Sequence, residues 1–338
     1  PAISISSMSD KNNAMELLGV VSSGAISAGI DSALADNAAL QALAPVIEVA
    51  NFDSLTTCNG LLAAAGGQFT VATGQTFGSD TTDGAINALA QGVSTQALQS
   101  AGPLCAATLF EGTVSLPYYS PIPRSDNLLA PVNEFWESAC TSGIILANAG
   151  DALAVAEPGP NAQMCQLAQL NDVRINGEKI DPARNLTKFS PVPQTKGSDD
   201  GNETLDVQMT IPNPTVAQAL GFEIAMPDDG WPVVMLVHGI TSKKEDMLAI
   251  SGTLSLAGFA TVAIDQPIHG SRGFDFNGDG TDELNASTVS ATHFLNLGSL
   301  PTARDNSRQA VADLLGIRLG LNALFDMTNT DMVKVNAS

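Results

Sequence analysis

Two kinds of hydrophobic spacing divide the chain. In the first half, apolar residues recur at helical intervals over residues 33–49 and again over 85–101, amid Ala, Gly and Ser, and predict short packed helices. Residues 113–119 read as a strand. It runs into the Pro-punctuated loop Tyr118-Tyr119-Ser120-Pro121-Ile122-Pro123, where both tyrosines of the chain stand side by side as core or loop anchors. From 185 to 202 the composition turns to Pro, Gly, Ser and Asp. Gly197-Ser198-Asp199-Asp200-Gly201 is a tip or boundary there, dividing an expected mixed α+β domain of residues 1–200 from one of residues 201–338.

Beyond that point the period changes. Leu205, Val207, Met209 and Ile211 alternate with polar residues, as in a half-exposed antiparallel strand ending at Pro212. Residues 233–237 and 260–264 are apolar throughout, the pattern of strands covered on both faces. Between them Ser242-Lys243-Lys244-Glu245 reads as a capping box opening a helix with Met247, Ile250, Leu254 and Ala257 on one stripe, and Gly258 supplies a left-handed turn into the next strand. Strand, helix, strand in that order is a right-handed unit of parallel sheet, so the fold class is α/β. A second helix is expected over residues 301–325, capped by Thr302 and burying Val311, Leu314, Leu315, Leu321 and Leu324, with Gly316 and Gly320 letting it approach the sheet. Met332-Val333-Lys334-Val335 opens a further strand.

Charge narrows the function classes. With 14 Lys+Arg against 35 Asp+Glu the net charge is -21, which repels phosphate backbones and argues against nucleic acid as a partner. No apolar run approaches the roughly 20 residues of a membrane-spanning helix. Four cysteines, Cys58, Cys105, Cys140 and Cys165, form no C-x-x-C pair; their even number suggests two disulfides, with buried free thiols as the alternative. Of three connectivities, Cys58–Cys105 with Cys140–Cys165 is favoured as the simplest topology. Pro1 opens directly into Ile3-Ser4-Ile5-Ser6, so a signal peptide is expected to have been removed or to precede the chain.

Three motifs carry chemistry. Val237-His238-Gly239-Ile240-Thr241 follows a buried parallel strand, where open α/β sheets bind ligands, and a His-Gly turn can aim the amides of Ile240 or Thr241 at a developing oxyanion; an ordinary tight turn is the bland alternative. Asp265-Gln266-Pro267-Ile268-His269-Gly270-Ser271-Arg272-Gly273 follows the next strand on the same edge. Asp265 and His269 are either a catalytic pair or, more naturally on a Pro-Gly loop, braces for it together with Arg272. Asp275, Asn277, Asp279, Thr281 and Glu283 give oxygen ligands at calcium-loop spacing with Gly280 at the sixth position, but Ala286 stands where an EF-hand has its bidentate glutamate. Calcium is therefore a candidate ligand of an irregular loop, and a plain acidic turn is the alternative.

Together, residues 237–247, 257–273 and Ala303-Arg304-Asp305-Asn306-Ser307-Arg308-Gln309 resemble the bacterial virulence-factor lipases, an extracellular lipase and lysophospholipase family with an α/β-hydrolase catalytic domain. The likeness is dense over residues 231–335 and looser before it, where it rests on Leu116-Pro117-Tyr118-Tyr119 and overall layout. It implies an N-terminal domain followed by an incomplete α/β-hydrolase sheet. It also implies secretion or an outer-membrane surface location, an acyl-lipid substrate, lipid-surface contact or an N-terminal lipid anchor, and no obligatory cofactor. In that family the strand near Val333 leads to a Gly-x-Ser-x-Gly nucleophile elbow, and no such pentapeptide occurs in the chain. Ser255, in Leu254-Ser255-Leu256-Ala257-Gly258, lies within the expected helix and cannot be that nucleophile. The resemblance thus implies a serine ester hydrolase whose nucleophile follows Ser338, and residues 1–338 alone are expected to be inactive. An amidase or peptidase on the same fold, or a surface adhesion protein on a hydrolase scaffold, are the competing expectations. Oligomeric state is not legible.

Overall fold

A computed structural model describes residues 1–36, 38, 41, 52–67, 81–328 and 334–336. The chain opens with strand β1 (Ile3–Asn13) and helices α1 (Ala14–Leu18), α2 (Ser23–Ala35), α3 (Cys58–Ala65) and α4 (Thr81–Cys105), followed by β2 (Ala107–Pro117). Three short strands follow, β3 (Glu157–Pro158), β4 (Val173–Ile175) and β5 (Glu178–Lys179), then β6 (Asn202–Pro212), β7 (Trp231–Leu236), helix α5 (Leu248–Leu256) and β8 (Ala260–Ile264). Helix α6 (Leu300–Leu321), β9 (Phe325–Asp326) and β10 (Val335–Asn336) close the described chain. The helix expected over 33–49 lies largely outside the described residues, as do Met332, Val333 and Ser338.

Seven strands form one mixed sheet in the order β10-β7-β8-β6-β2-β1-β9. β7 runs parallel to β8 and to β10, β6 pairs antiparallel with both β8 and β2, and β2 pairs antiparallel with β1. The alternation of side chains across β2 assigns its two faces. Phe110, Val114 and Leu116 join the cluster under α6, while Ala107 and Leu109 pack with Leu248 of α5. On the α5 side, the N-terminal helices build an aliphatic core of their own from Ile26, Ile30, Leu55, Leu61, Ile86, Ala90 and Val93. Gly252 permits α5 to touch α4, since a Cβ there would lie 2.5 Å from the Pro103 carbonyl carbon.

Both disulfides form as Cys58–Cys105 and Cys140–Cys165. Such bonds persist in oxidising compartments. Among the described residues no helix is long and apolar enough to cross a membrane.

The sheet runs across the domain boundary expected at 200/201. β2 and β6 pair residue for residue from Ala107–Pro212 to Pro117–Asn202, so residues 118–201 are an insertion at the tip of a long hairpin. Within it, β3, β4 and β5 make a small sheet, Cys140–Cys165 staples two segments, and the buried Arg184 guanidinium pairs with Asp172. Because Val207 of β6 faces Ile264, the last residue of β8, the insertion leaves the sheet at the end where β7 and β8 terminate.

Several local expectations are corrected. β6 is buried on both faces from Val207 onward, because Thr210 Oγ1 bonds Thr261 Oγ1 at 2.6 Å and Gln208 Nε2 donates to the Lys244 carbonyl at 3.0 Å. β7 is less covered than its apolar run implied, with Met235 37% and Val237 47% exposed. The cap before α5 is shifted by one residue. The Asp246 carboxylate, rather than that of Glu245, accepts from the Lys243 amide at 3.1 Å and from Ser242 Oγ at 2.6 Å, and Glu245 pairs with Lys244 instead. Gly258 has the left-handed φ of 81° that the turn required.

α6 departs most. Ser299 is its N-cap, and Thr302 is buried, donating to the Glu134 carbonyl at 2.7 Å. Its buried face carries Asp305, Asn306, Gln309 and Asp313 before Ile317 and Leu321, whereas Val311 and Leu315 are exposed. Gly316 and Gly320 do bring the helix down: an added Cβ would lie 2.6 Å from Leu116 and 3.0 Å from Ile3.

Candidate active site

β7 leads through α5 to β8 on one side, while β10 lies on its other side. The carboxyl end of β7 thus sits where neighbouring connections diverge, the place where open α/β sheets form a ligand crevice. There the chain makes the turn His238-Gly239-Ile240-Thr241. The His238 ring is buried; its Nδ1–H donates to the Gly239 carbonyl at 2.8 Å and its Nε2 accepts the Gln266 amide at 2.9 Å. The Gln266 side chain in turn donates to the His238 carbonyl. With both ring nitrogens committed, His238 fixes the turn and does not serve as a base. A nearby Asp265 oxygen, 3.7 Å from Nε2, is no ion-pair partner while that nitrogen is accepting a hydrogen bond.

Gly239, Ile240 and Thr241 are exposed, and their amides meet no hydrogen-bond partner among the described residues. Thr241 holds φ at 72°, and Ile268, in the loop after β8, holds 61°. β-branched residues avoid this left-handed region, at a cost of roughly 1–3 kcal/mol each, and such conformations gather at functional sites. A small recess lined by Leu236, Val237, Ile264, Ala310 and Leu314 opens beside these carboxyl ends, bounded by Gln266 and Asp313.

Asp265 is the node beneath the turn. One carboxylate oxygen accepts the Lys244 amide at 2.8 Å; the other accepts Lys244 Nζ, the Ser271 amide and Ser271 Oγ, each at 2.9 Å. Burial pushes the Asp265 carboxyl up, but the Lys244 ammonium and the two amides outweigh it and hold it below the ordinary carboxylate range. Lys244 shifts upward in response: burial opposes its charge and Asp265 more than compensates. His269 is buried, donates from Nδ1 to the Pro267 carbonyl at 2.9 Å, and packs edge-on to His238 and Phe294; its Nε2 has no hydrogen-bond partner among the described residues. Burial pushes its pKa down. His269 does not hydrogen-bond Asp265, so the two form no catalytic pair.

Arg272 ties this loop to the rest of the fold. It reaches the Asp265 carbonyl at 3.0 Å, Asp313 at 2.8 Å and Glu203 at 2.6 Å, and lies over the Tyr118 ring. Burial disfavours the Arg272 charge, yet Asp313 and Glu203 raise its pKa overall, while burial pushes Asp313 up in spite of Arg272.

The acidic loop stands apart from this cluster. Asp275 accepts the amides of Asn277, Gly278 and Gly280, and the Gly280 bond leads the others in holding its carboxyl down. Asn277 and Asp279 accept the amides of Asp279 and Thr281, and Glu283 accepts from Phe276 and Asn277. The carboxylates thus close the loop on itself. Among the described residues no group of three or more His, Cys, Asp or Glu is placed to hold a metal ion.

Sequence reasoning singled out Asp265, His269 and Arg272 but missed Lys244, Gln266, Glu203 and Asp313. The last two are far along the chain from the loop they hold, and no spacing rule joins them. No family model, curated protein or solved structure matches the chain.

Proposed function

We propose that this chain carries the oxyanion-binding part of a carboxylic-ester hydrolase acting on acyl lipids through Ser-His-Asp chemistry. The observation that carries the reading is the His238–Thr241 turn. It sits at the carboxyl end of a parallel strand, before a helix, with amides at Ile240 and Thr241 that have no partner among the described residues, strained backbone at Thr241, and a floor locked by His238, Gln266 and Asp265. Pre-oriented amides stabilise an oxyanion because they need no reorganisation as charge develops. In hydrolases of this kind one donor comes from the loop between such a strand and helix, and the other from the residue after the nucleophile. The reading therefore places nucleophile, acid and base in residues that follow Ser338. Ser255 is fully buried within α5.

The test is to express the reading frame beyond Ser338, label it with a serine-directed phosphonate and map the adduct. One modified serine downstream of residue 338, with ester turnover absent from residues 1–338 alone, is the expected result. An extended protein without a reactive serine, or labelling of Ser255, overturns the reading.

A further inference from the structure

On the α5 face of the sheet, bordered by α1 and by the loop that leads into α5, lies a cavity of about 390 Å³, within the size range of small-ligand sites. Alternation puts Glu111 of β2 and Asp206 and Gln208 of β6 on its floor, because Phe110, Val207 and Met209 face α6. Glu111 stands opposite Gln208 in the strand register, and Asp206 is its diagonal neighbour. Lys244 and Glu245 form a wall, and Leu17 and Leu109 supply apolar lining. The free polar groups are acceptors. Neither Glu111 nor Asp206 pairs with a cation among the described residues, and the Lys244 ammonium is shared by Asp265 at 2.9 Å and Glu245 at 3.0 Å. Gln208, only 6% exposed, spends its Nε2 on the Lys244 carbonyl at 3.0 Å, while its Oε1 accepts no hydrogen bond among the described residues.

We propose that this cavity binds a linear alkyl polyamine, its ammonium groups held by Glu111, Asp206 and the Gln208 carboxamide oxygen and its methylenes lying against Leu17 and Leu109. Charge calls for a cation: Glu111, Asp206, Glu245 and Asp265 set four carboxylates against the single ammonium of Lys244. Geometry calls for one whose charge is spread out. Among the described residues no three acidic groups are placed to hold one metal ion, and the floor follows β2 from Leu109 to Thr113, about 13 Å at the rise of an antiparallel strand. Hydrogen-bond chemistry agrees. A buried carboxamide oxygen is completed only by a donor, and an ammonium group brings three donors and no acceptor, so it matches a floor whose free groups all accept. The site lies outside the His238 turn and does not depend on the ester-hydrolase reading.

Isothermal titration of residues 1–338 with spermidine, at pH 7 and physiological ionic strength, tests this without any hydrolysis. One site per chain is expected. Glu111→Gln/Asp206→Asn should weaken it by about tenfold or more, since each substitution removes a charge-assisted hydrogen bond, and should leave the urea midpoint unchanged because both side chains are exposed. Asp228→Asn/Asp229→Asn removes two exposed charges outside the cavity and should bind as wild type, because long-range attraction to an acidic chain is screened beyond about 8 Å. Magnesium at the same concentration should not displace spermidine. The proposal is overturned by absence of binding, by many weak equivalent sites that salt abolishes, by a cavity variant that binds as wild type, by equal losses from the two double variants, or by equal competition from magnesium. Trilysine binding as tightly as spermidine overturns it too, by making the occupant a basic protein segment.

Discussion

The two longest helices of the molecule are held by opposite means. α4 buries Ile86, Ala90, Val93 and Ala101 in an aliphatic core, and Cys105 at its end is bonded to Cys58. α6 turns Thr302, Asp305, Asn306, Gln309 and Asp313 inward and leaves Val311, Leu315 and Leu319 in solvent. Apolar packing is non-directional and accepts many neighbours of suitable volume. A buried amide or carboxylate is satisfied only by a donor or acceptor at one place. The inward face of α6 reads the backbone of other segments: Gln309 takes the Tyr119 amide and gives to the Pro117 carbonyl, Asp305 takes the Trp136 amide, and Thr302 gives to Glu134. α4 closes a core, and α6 fixes where the inserted region 118–201 stands relative to the candidate site.

The contrast is broken most severely at Arg272, the charge shared by Asp313 of α6, Glu203 of β6 and the Asp265 loop. Arg272→Ala leaves Asp313 buried without its cation and is expected to cost about 3–5 kcal/mol in urea unfolding, as removal of one member of a buried pair does. A loss below about 1 kcal/mol would show that Asp313 is carried by Gln309 alone and that the network is not a tie between elements.

What was legible in the sequence follows the same division. Where burial is apolar, periodicity found the element, α4 within residues 85–101 and β8 as a continuous run; α5 was found through Gly258, but the expected stripe of Met247, Ile250, Leu254 and Ala257 is not its buried side, since Ile250 and Ala257 are exposed and Leu248, Ser251, Gly252 and Ser255 face inward. Where burial is polar, the same reasoning chose the wrong face. Val311 and Leu315 were expected inside α6 because a helix on a sheet ordinarily hides its aliphatic side. The partners of Asp305 and Gln309 are backbone groups near 118 and 136, invisible to local pattern. The inserted region was likewise read as the end of a domain, since its Gly-Ser-Asp composition marks a hairpin tip and a linker alike. The His238 turn was legible by motif and position, but its locks, Gln266 and Lys244, were not, because backbone amides carry no residue signature.

A smaller effect sharpens the reading of α6 itself. Gln309→Leu roughly keeps the volume on the buried side but abandons the Tyr119 amide, the Pro117 carbonyl and a 2.7 Å bond to Asp313. It is expected to cost about 1–3 kcal/mol, although it makes the helix face more hydrophobic. Val311→Ser, at a site 57% exposed, is expected to stay within about 0.5 kcal/mol of wild type. Equal losses from the two variants, measured by urea midpoint, would return α6 to the ordinary amphipathic orientation.

The smallest expected effect is a pH dependence confined to the loop that α6 braces. His269 is buried edge-on to His238 at a ring distance of 5.0 Å, near Asp265 and Arg272, and burial leads in pushing its pKa below the ordinary value. A folded-state pKa lower than the unfolded one means that the unfolded chain binds the extra proton first, so stability is full above about pH 6.5 and declines as pH falls through the folded value. Asp265, also depressed, adds its own loss only below about pH 4. His269→Phe keeps the ring against Phe294 but loses the Nδ1–H bond to Pro267, and should cost about 1 kcal/mol at pH 7. Between pH 7 and 5 the wild type should lose stability faster than the variant, so the gap between their urea midpoints narrows. Curves that stay parallel over that range would show that His269 keeps its charge state on folding, and that the loop below the His238 turn is braced by Asp265 and Arg272 without any contribution from a neutral imidazole.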